Sequence, residues 1–207
     1  GTVRLLSIPL PETSMPITKL DQILDAVKAK PKKRLVAAWA VDAHTIEAVN
    51  AAREQGIIDA TLVGDEAQIR RVCGELGIDA GAFEIVHEAT DVAAGTRAVE
   101  LVRTGHGQIL MKGLLSTDKY MRAILNKEKG LMRPGAVLSH ATVIENARYP
   151  KLMICGDVAV LPYPDLKQKI AITNYLIGVG HTLGIEKPKV ALVCATEQVS
   201  EGIPATV

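Results

Sequence analysis

The chain has 207 residues, enough for one large domain or two small ones. Hydrophobic residues make up 48% but aromatics only 3%, so an aliphatic core is available and stacking platforms for single-stranded nucleic acid are not. A formal charge of +1 excludes a broad basic footprint for DNA or RNA. The densest basic run, Lys30 to Arg34, reads as a solvated loop.

The first residues, Gly1 to Ser14, are too polar and too broken by proline for a signal peptide, and residues 1–15 are expected to be an N-terminal extension or cloning remnant. Leu20, Ile23, Leu24 and Val27 then repeat at helical spacing, up to Pro31. Arg34–Val41 is an apolar run of strand length, with Asp42 placed to cap the helix that carries Ile46, Val49 and Ala52 and stops at Gly56. Asp59–Val63 predicts a second strand. Gly64 and Asp65 open a helix through Ile69, Val72 and Leu76 that Gly77 closes. Phe83–Val86 is the third strand, and Asp91–Arg103 a helix expected to bury Val92, Val99 and Val102. Gln108–Met111 is the fourth, expected to be buried between other elements.

Strands alternating with helices of this length imply βαβ units and a parallel sheet, with right-handed crossovers putting helices on both faces. The fold class is therefore α/β. After Pro134 the rhythm changes. Ala136–Ile144 and Leu152–Ile154 are strand-like runs joined by a short polar loop through Asn146, Arg148 and Pro150, which predicts a hairpin. A long helix over Asp165–Leu183 and a strand over Lys189–Ala195 follow. This divides the chain into a first α/β domain at 16–134 and a second at 135–207, the latter expected to be incomplete at its C-terminal end.

No stretch spans a bilayer. Cys73, Cys155 and Cys194 show no CxxC spacing and are expected to be reduced thiols, with Cys155 and Cys194 as small buried hydrophobes in apolar runs. His44, His87, His106, His140 and His181 are scattered without metal-ligand spacing. Neither a GxxxxGK[ST] loop nor a GxSxG elbow is present, and the glycines of Gly178–Gly184 fit a helix C-terminus better than a dinucleotide loop.

Chemistry is best placed at Met111-Lys112-Gly113-Leu114-Leu115-Ser116-Thr117, at the carboxyl end of the fourth strand, where ligands bind in open parallel sheets. Ser116 or Thr117 caps the next helix, whose amide groups and dipole favour an anion. Lys112 adds a charge and Gly113 permits close approach. Arg122 lies a little over one turn further on. The bland reading is an ordinary cap beside an Asp118–Arg122 surface pair. Asp157 is a carboxylate at the end of a strand, suited to binding or to capping a loop.

"MKGLLSTDKYMRAILNKE", "GAVLSHATV", "CGDVAVLPYPDLKQKIAI" and "LGIEKPKVALVCATE", in this order, resemble successive blocks of the phosphate acetyl/butyryltransferase family, nearest its butyryl branch. The resemblance runs from about Ile17 to the end. It implies a two-domain fold of the isocitrate/isopropylmalate dehydrogenase type, with mostly parallel sheets flanked by helices and the active site in the interdomain cleft. It implies transfer of a short acyl group, butyryl by preference, between coenzyme A and inorganic phosphate. Acetyl-specific relatives carry "STADTLRP" where this chain has "STDKYMRA", and the match retains Ser116, Thr117 and Arg122. On this footing Lys112, Gly113, Ser116, Thr117, Arg122 and Asp157 are the expected substrate-binding residues. Further active-site residues of the family, a serine, an arginine and an aspartate, are expected beyond Val207, so no catalytic residue is assigned here. No metal or other cofactor is expected, only acyl-CoA and phosphate as substrates. A cytoplasmic homo-oligomer, at least a dimer, is implied, with no nucleic-acid or membrane partner. An acetyl-specific transferase, a relative acting on another phosphorylated metabolite, and a non-catalytic acyl-CoA-sensing domain are the alternatives.

Overall fold

The computed structural model describes residues 16–194, 196–203 and 206. The expected extension at 1–15 and the final residue of the last expected strand, Ala195, lie outside them. The chain forms two compact units. One is Val27–Pro134; the other joins the segment ending at Ala26 to the residues from Gly135 onward.

In the first unit, β1 (Lys33–Ala38), β2 (Ile58–Gly64), β3 (Glu84–His87) and β4 (Ile109–Lys112) form one parallel sheet in the order β3-β2-β1-β4. Between them run α2 (Ala43–Glu54), α3 (Glu66–Glu75) and α4 (Asp91–Arg103), and α5 (Thr117–Leu125) follows β4; α1 (Leu20–Lys28), most of which belongs to the other unit, precedes β1. Alternation along β1 and β2 sorts the core into two layers. Leu35, Ala37, Ile58, Ala60 and Leu62 face Ile46 and Val49 of α2 and Ile69, Val72 and Cys73 of α3. Val36, Ala38 and Val63 face Ala94, Ala98 and Leu101 of α4, with Leu115. Helices thus cover both faces, as a right-handed parallel sheet requires.

Capping fixes the helix starts. Asp42 accepts from the Thr45 amide, Asp65 from the Gln68 amide and Thr90 from the Ala93 amide. Near the amino ends of the strands, Glu84 Oε2 gathers Arg34 Nη1, Thr61 Oγ1 and His106 Nε2, each at 2.9 Å. Burial raises the Glu84 pKa, but the hydrogen bonds from His106 and Thr61 and the nearby charges outweigh it, and the carboxyl is held below its usual range.

Three expectations for this unit are corrected. β1 stops at Ala38, not Val41, because Trp39 takes a left-handed backbone with φ of 57°. β4 is an edge strand of the described sheet, pairing only with β1. It is therefore not buried between elements, and Ile109 is exposed. Val92 is also exposed, and α4 packs instead through Ala94, Gly95, Ala98, Val99 and Leu101. Small side chains let that helix lie close: a Cβ on Gly95 would stand 3.0 Å from Leu115 Cδ1.

The second unit contains the expected hairpin. β5 (Thr142–Asn146) and β6 (Tyr149–Cys155) pair antiparallel, so the segment before Thr142 is not strand. Next comes α6 (Leu166–Thr182), started by a capping box in which Asp165 accepts from the Gln168 amide and Gln168 accepts from the Asp165 amide. Gly184, with φ of 81°, ends the helix, as its glycines suggested. Residues before Leu20 attach here: the Ile17 amide donates to Leu183 O at 2.9 Å, and the Leu20 amide to Glu145 Oε2 at 2.9 Å. The segment through Ala26 accordingly belongs with this unit, where the sequence reading grouped it with 16–134.

The described part of the expected last strand, Lys189 to Cys194, is not a strand. An apolar run becomes a strand only by hydrogen bonding to a neighbour, and Leu192 and Val193 are exposed. Cys194 is exposed with it and Cys155 is partly buried; Cys73 is the fully buried thiol. No helix among the described residues is long and apolar enough to cross a membrane.

Candidate active site

The strand order places a reversal between β1 and β4. The chain moves outward from β1 to β2 and β3, then returns to the other side of β1. The connections leaving β1 and β4 diverge to opposite faces, and the crevice outside their carboxyl ends is where such sheets bind ligands. At that position the chain runs Lys112 to Thr117.

Two backbone bonds fasten this turn to the end of β1. The Gly113 amide donates to Ala38 O at 2.9 Å, and the Leu114 amide to Trp39 O at 3.0 Å. Side chains then alternate. Gly113 and Leu115 are buried, while Lys112, Leu114, Ser116 and Thr117 are exposed. Leu115, 1% exposed, anchors the turn in the layer beneath α4. Gly113 has a steric reason that the sequence did not disclose: the close approach is to β1 itself, and a Cβ would meet Trp39 O at 2.5 Å and Ala38 O at 2.7 Å.

Ser116, not Thr117, is the cap of α5; its Oγ accepts from the Lys119 amide at 3.4 Å. Thr117 is the first helical residue, so its amide and that of Asp118 point out of the helix start. Tyr120 ties α5 back to its strand by donating to Leu110 O at 3.2 Å, and burial pushes its phenol pKa up. Lys119 pairs with Asp91 at the start of α4. Arg122 makes the surface pair: its guanidinium lies 3.1 Å from Asp118, with the two side chains 79% and 68% exposed. Among the described residues, Lys112 Nζ donates to Gly113 O, at 3.5 Å.

Asp157 lies in the other unit and organises its own loop. Oδ1 accepts from the amides of Ala159 and Val160 at 2.8 Å each. Oδ2 accepts from Ser139 Oγ at 2.9 Å and from the His140 amide at 3.3 Å. Partial burial raises the Asp157 pKa, but these four donors overcome it and hold the carboxyl at about 2. The sequence reading singled out neither Ser139 nor His140, although both lie in the "GAVLSHATV" block. Trp39 was also missed, because a left-handed residue inside an apolar run leaves no trace in composition. No group of three His, Cys, Asp or Glu side chains among the described residues is arranged to hold a metal ion.

A parallel sheet whose point of reversal carries a capped helix start at the strands' carboxyl ends defines a class of α/β proteins that bind ligands in that crevice. The phosphate acetyl/butaryl transferase family profile matches residues 19–97 and 93–206, and the chain belongs to that family. It is 43% identical over 190 residues to the phosphate butyryltransferase of Clostridium acetobutylicum, covering 92% of this chain and 63% of that one. It is 36% identical over 187 residues to the phosphate butyryltransferase of Clostridium beijerinckii, covering 90% and 62%. A branched-chain phosphotransacylase from Enterococcus faecalis superposes with a TM-score of 0.66 at 25% identity, covering 84% of this chain and 60% of that one. The chain thus spans about three-fifths of the length of the relatives it matches.

Proposed function

We propose that this protein transfers a short acyl group between coenzyme A and inorganic phosphate, with butyryl as the preferred group. The observation that carries the reading is the turn from Lys112 to Ser116, pinned to β1 so that the start of α5 opens at the carboxyl ends of β1 and β4. The phosphate butyryltransferase relatives support the reaction class.

In the proposed reaction a phosphate oxygen attacks the thioester carbonyl. The resulting tetrahedral oxyanion collapses, the C–S bond breaks, and coenzyme A leaves as thiolate while acyl phosphate forms. Holding phosphate against the carbonyl and stabilising the oxyanion and thiolate account for most of the rate gain such a site needs. The first amides of α5, the Ser116 and Thr117 hydroxyls, Lys112 and Arg122 are assigned to the anionic groups. Gly113 sets the backbone position, and Asp157 shapes the loop that carries Ser139. We assign no resident metal or organic cofactor to this chemistry. The finer fold type, isocitrate/isopropylmalate dehydrogenase-like with catalysis in an interdomain cleft, belongs to the same proposal, as do a cytoplasmic location and a homo-oligomeric assembly of at least two subunits.

The test is thiol release from butyryl-CoA by the full-length protein with and without phosphate, alongside calorimetric binding of both ligands. Phosphate-dependent release with acyl phosphate as product is expected. Retained acyl-CoA binding without turnover would replace the enzyme by a sensing domain, and loss of both would remove the reading.

A further inference from the structure

The geometry points to Trp39 and Leu114 as the wall that receives the acyl chain. This rests on the acyl-CoA reading above and adds the residues that set chain-length preference.

Trp39 is the only tryptophan of the 207 residues, and it stands directly after the central strand β1. Its φ of 57° puts a bulky side chain in the left-handed region, where only glycine and asparagine are at ease. Backbone strain of this kind persists where surrounding structure over-determines it, and it gathers at ligand sites. Here the fixing contacts are visible. Trp39 O accepts the Leu114 amide, and Gly113 packs against the same carbonyl.

The left-handed turn has a definite effect on the indole. A residue continuing the strand would join one layer of the core, as Ala37 and Ala38 do on opposite faces. Trp39 instead packs against both layers. The ring therefore lies across the end of the sheet and is only partly buried. Leu114, whose amide donates to Trp39 O, is 60% exposed although it sits between buried Gly113 and Leu115. An exposed leucine two residues before the cap at Ser116 is thus joined by a backbone hydrogen bond to the residue that carries the indole.

An acyl-CoA or acyl phosphate needs this pairing: an apolar surface for the chain close to donors for the charged group. Phosphate alone needs only the donors. Leucine and indole surfaces gain with each methylene they cover, so their removal penalises long chains more than short ones.

The experiment compares wild type, Leu114→Ala, Trp39→Phe and Trp39→Gly with acetyl-, propionyl-, butyryl- and isovaleryl-CoA. Leu114→Ala removes an exposed side chain and leaves the core intact; Trp39→Gly removes the indole while suiting the left-handed backbone. Expected for Leu114→Ala and Trp39→Gly is a loss of kcat/KM at least about tenfold greater for butyryl-CoA than for acetyl-CoA, with Trp39→Phe intermediate. Indole emission, taken as wild type minus Trp39→Phe, should shift with butyryl-CoA and not with phosphate alone. Should the wild type bind acyl-CoA without turnover, Kd across the same series gives the same comparison. Equal losses for all four thioesters, or none, overturn the assignment while leaving acyl transfer standing. Absence of acyl-CoA binding in the wild type removes the functional reading and this assignment together.

Discussion

A Cβ on Gly113 would stand 2.5 Å from the carbonyl oxygen of Trp39, closer than side-chain carbons come to backbone oxygen. The two residues directly follow neighbouring strands, and that carbonyl is already committed to the Leu114 amide. Neither backbone can retreat without breaking a bond. Gly113→Ala should therefore destabilise the Val27–Pro134 unit by about 1–3 kcal/mol, the usual cost of overpacking. A lowered urea midpoint checks this; an unchanged one would mean the ends of β1 and β4 separate freely.

Ser116 has two separable roles, cap and ligand donor. Ser116→Ala loses a cap, which costs about 0.5–2 kcal/mol. Ser116→Asp restores a capping oxygen and suits the helix dipole, yet sets a negative charge where phosphate is proposed to bind. The expected pattern is a lowered melting temperature for Ala alone and weakened phosphate affinity for Asp. Undiminished phosphate binding by the Asp variant would confine Ser116 to capping.

Arg122 is exposed and bonded to an equally exposed Asp118, so its removal should change stability by no more than about 0.5 kcal/mol. If it binds phosphate or coenzyme A, Arg122→Ala will raise the KM or Kd for that ligand while the melting curve stays put. Unaltered affinity would leave it a surface ion pair.

Asp157 supplies a pH signature. Its folded pKa, about 2, lies below the ordinary 3.8, so the carboxylate contributes stability that is fully present above the ordinary value and lost as pH falls toward the lower one. The wild type should lose melting temperature across that window, and Asp157→Asn less steeply, from a lower starting point. Parallel curves would show that the four donors do not depend on the charge.

Local chemistry made most element boundaries readable. Asp42 and Asp65 announce helix starts because an aspartate before an apolar-periodic stretch satisfies an orphan amide. Gly113 was read as letting the backbone come close to a ligand, whereas the room it makes is for β1. Pattern reading failed where a property belongs to the neighbours. Val92 looks like core by hydrophobicity, but α4 lies so close to Leu115 that Ala94, Gly95 and Ala98 make the contact. Lys189 to Cys194 has the composition of a strand but does not form one. The left-handed Trp39 is fixed by a hydrogen bond from Leu114, far later in the chain and beyond any local window.

The separations that the sheet closes also set an order of assembly. Arg34 meets Thr61 across a separation of 27 residues, but it meets Gln108 across 74. Chain entropy charges more for the longer closure, by roughly 0.6 kcal/mol for each doubling of the loop. The pairing of β1 with β2 is the cheaper nucleus, and β4 docks onto an edge already formed. The strand that delivers the Lys112–Ser116 turn is thus the late arrival, and by the same balance the first to leave: amides of Gly113 and Leu114 should exchange with solvent sooner than those of β2.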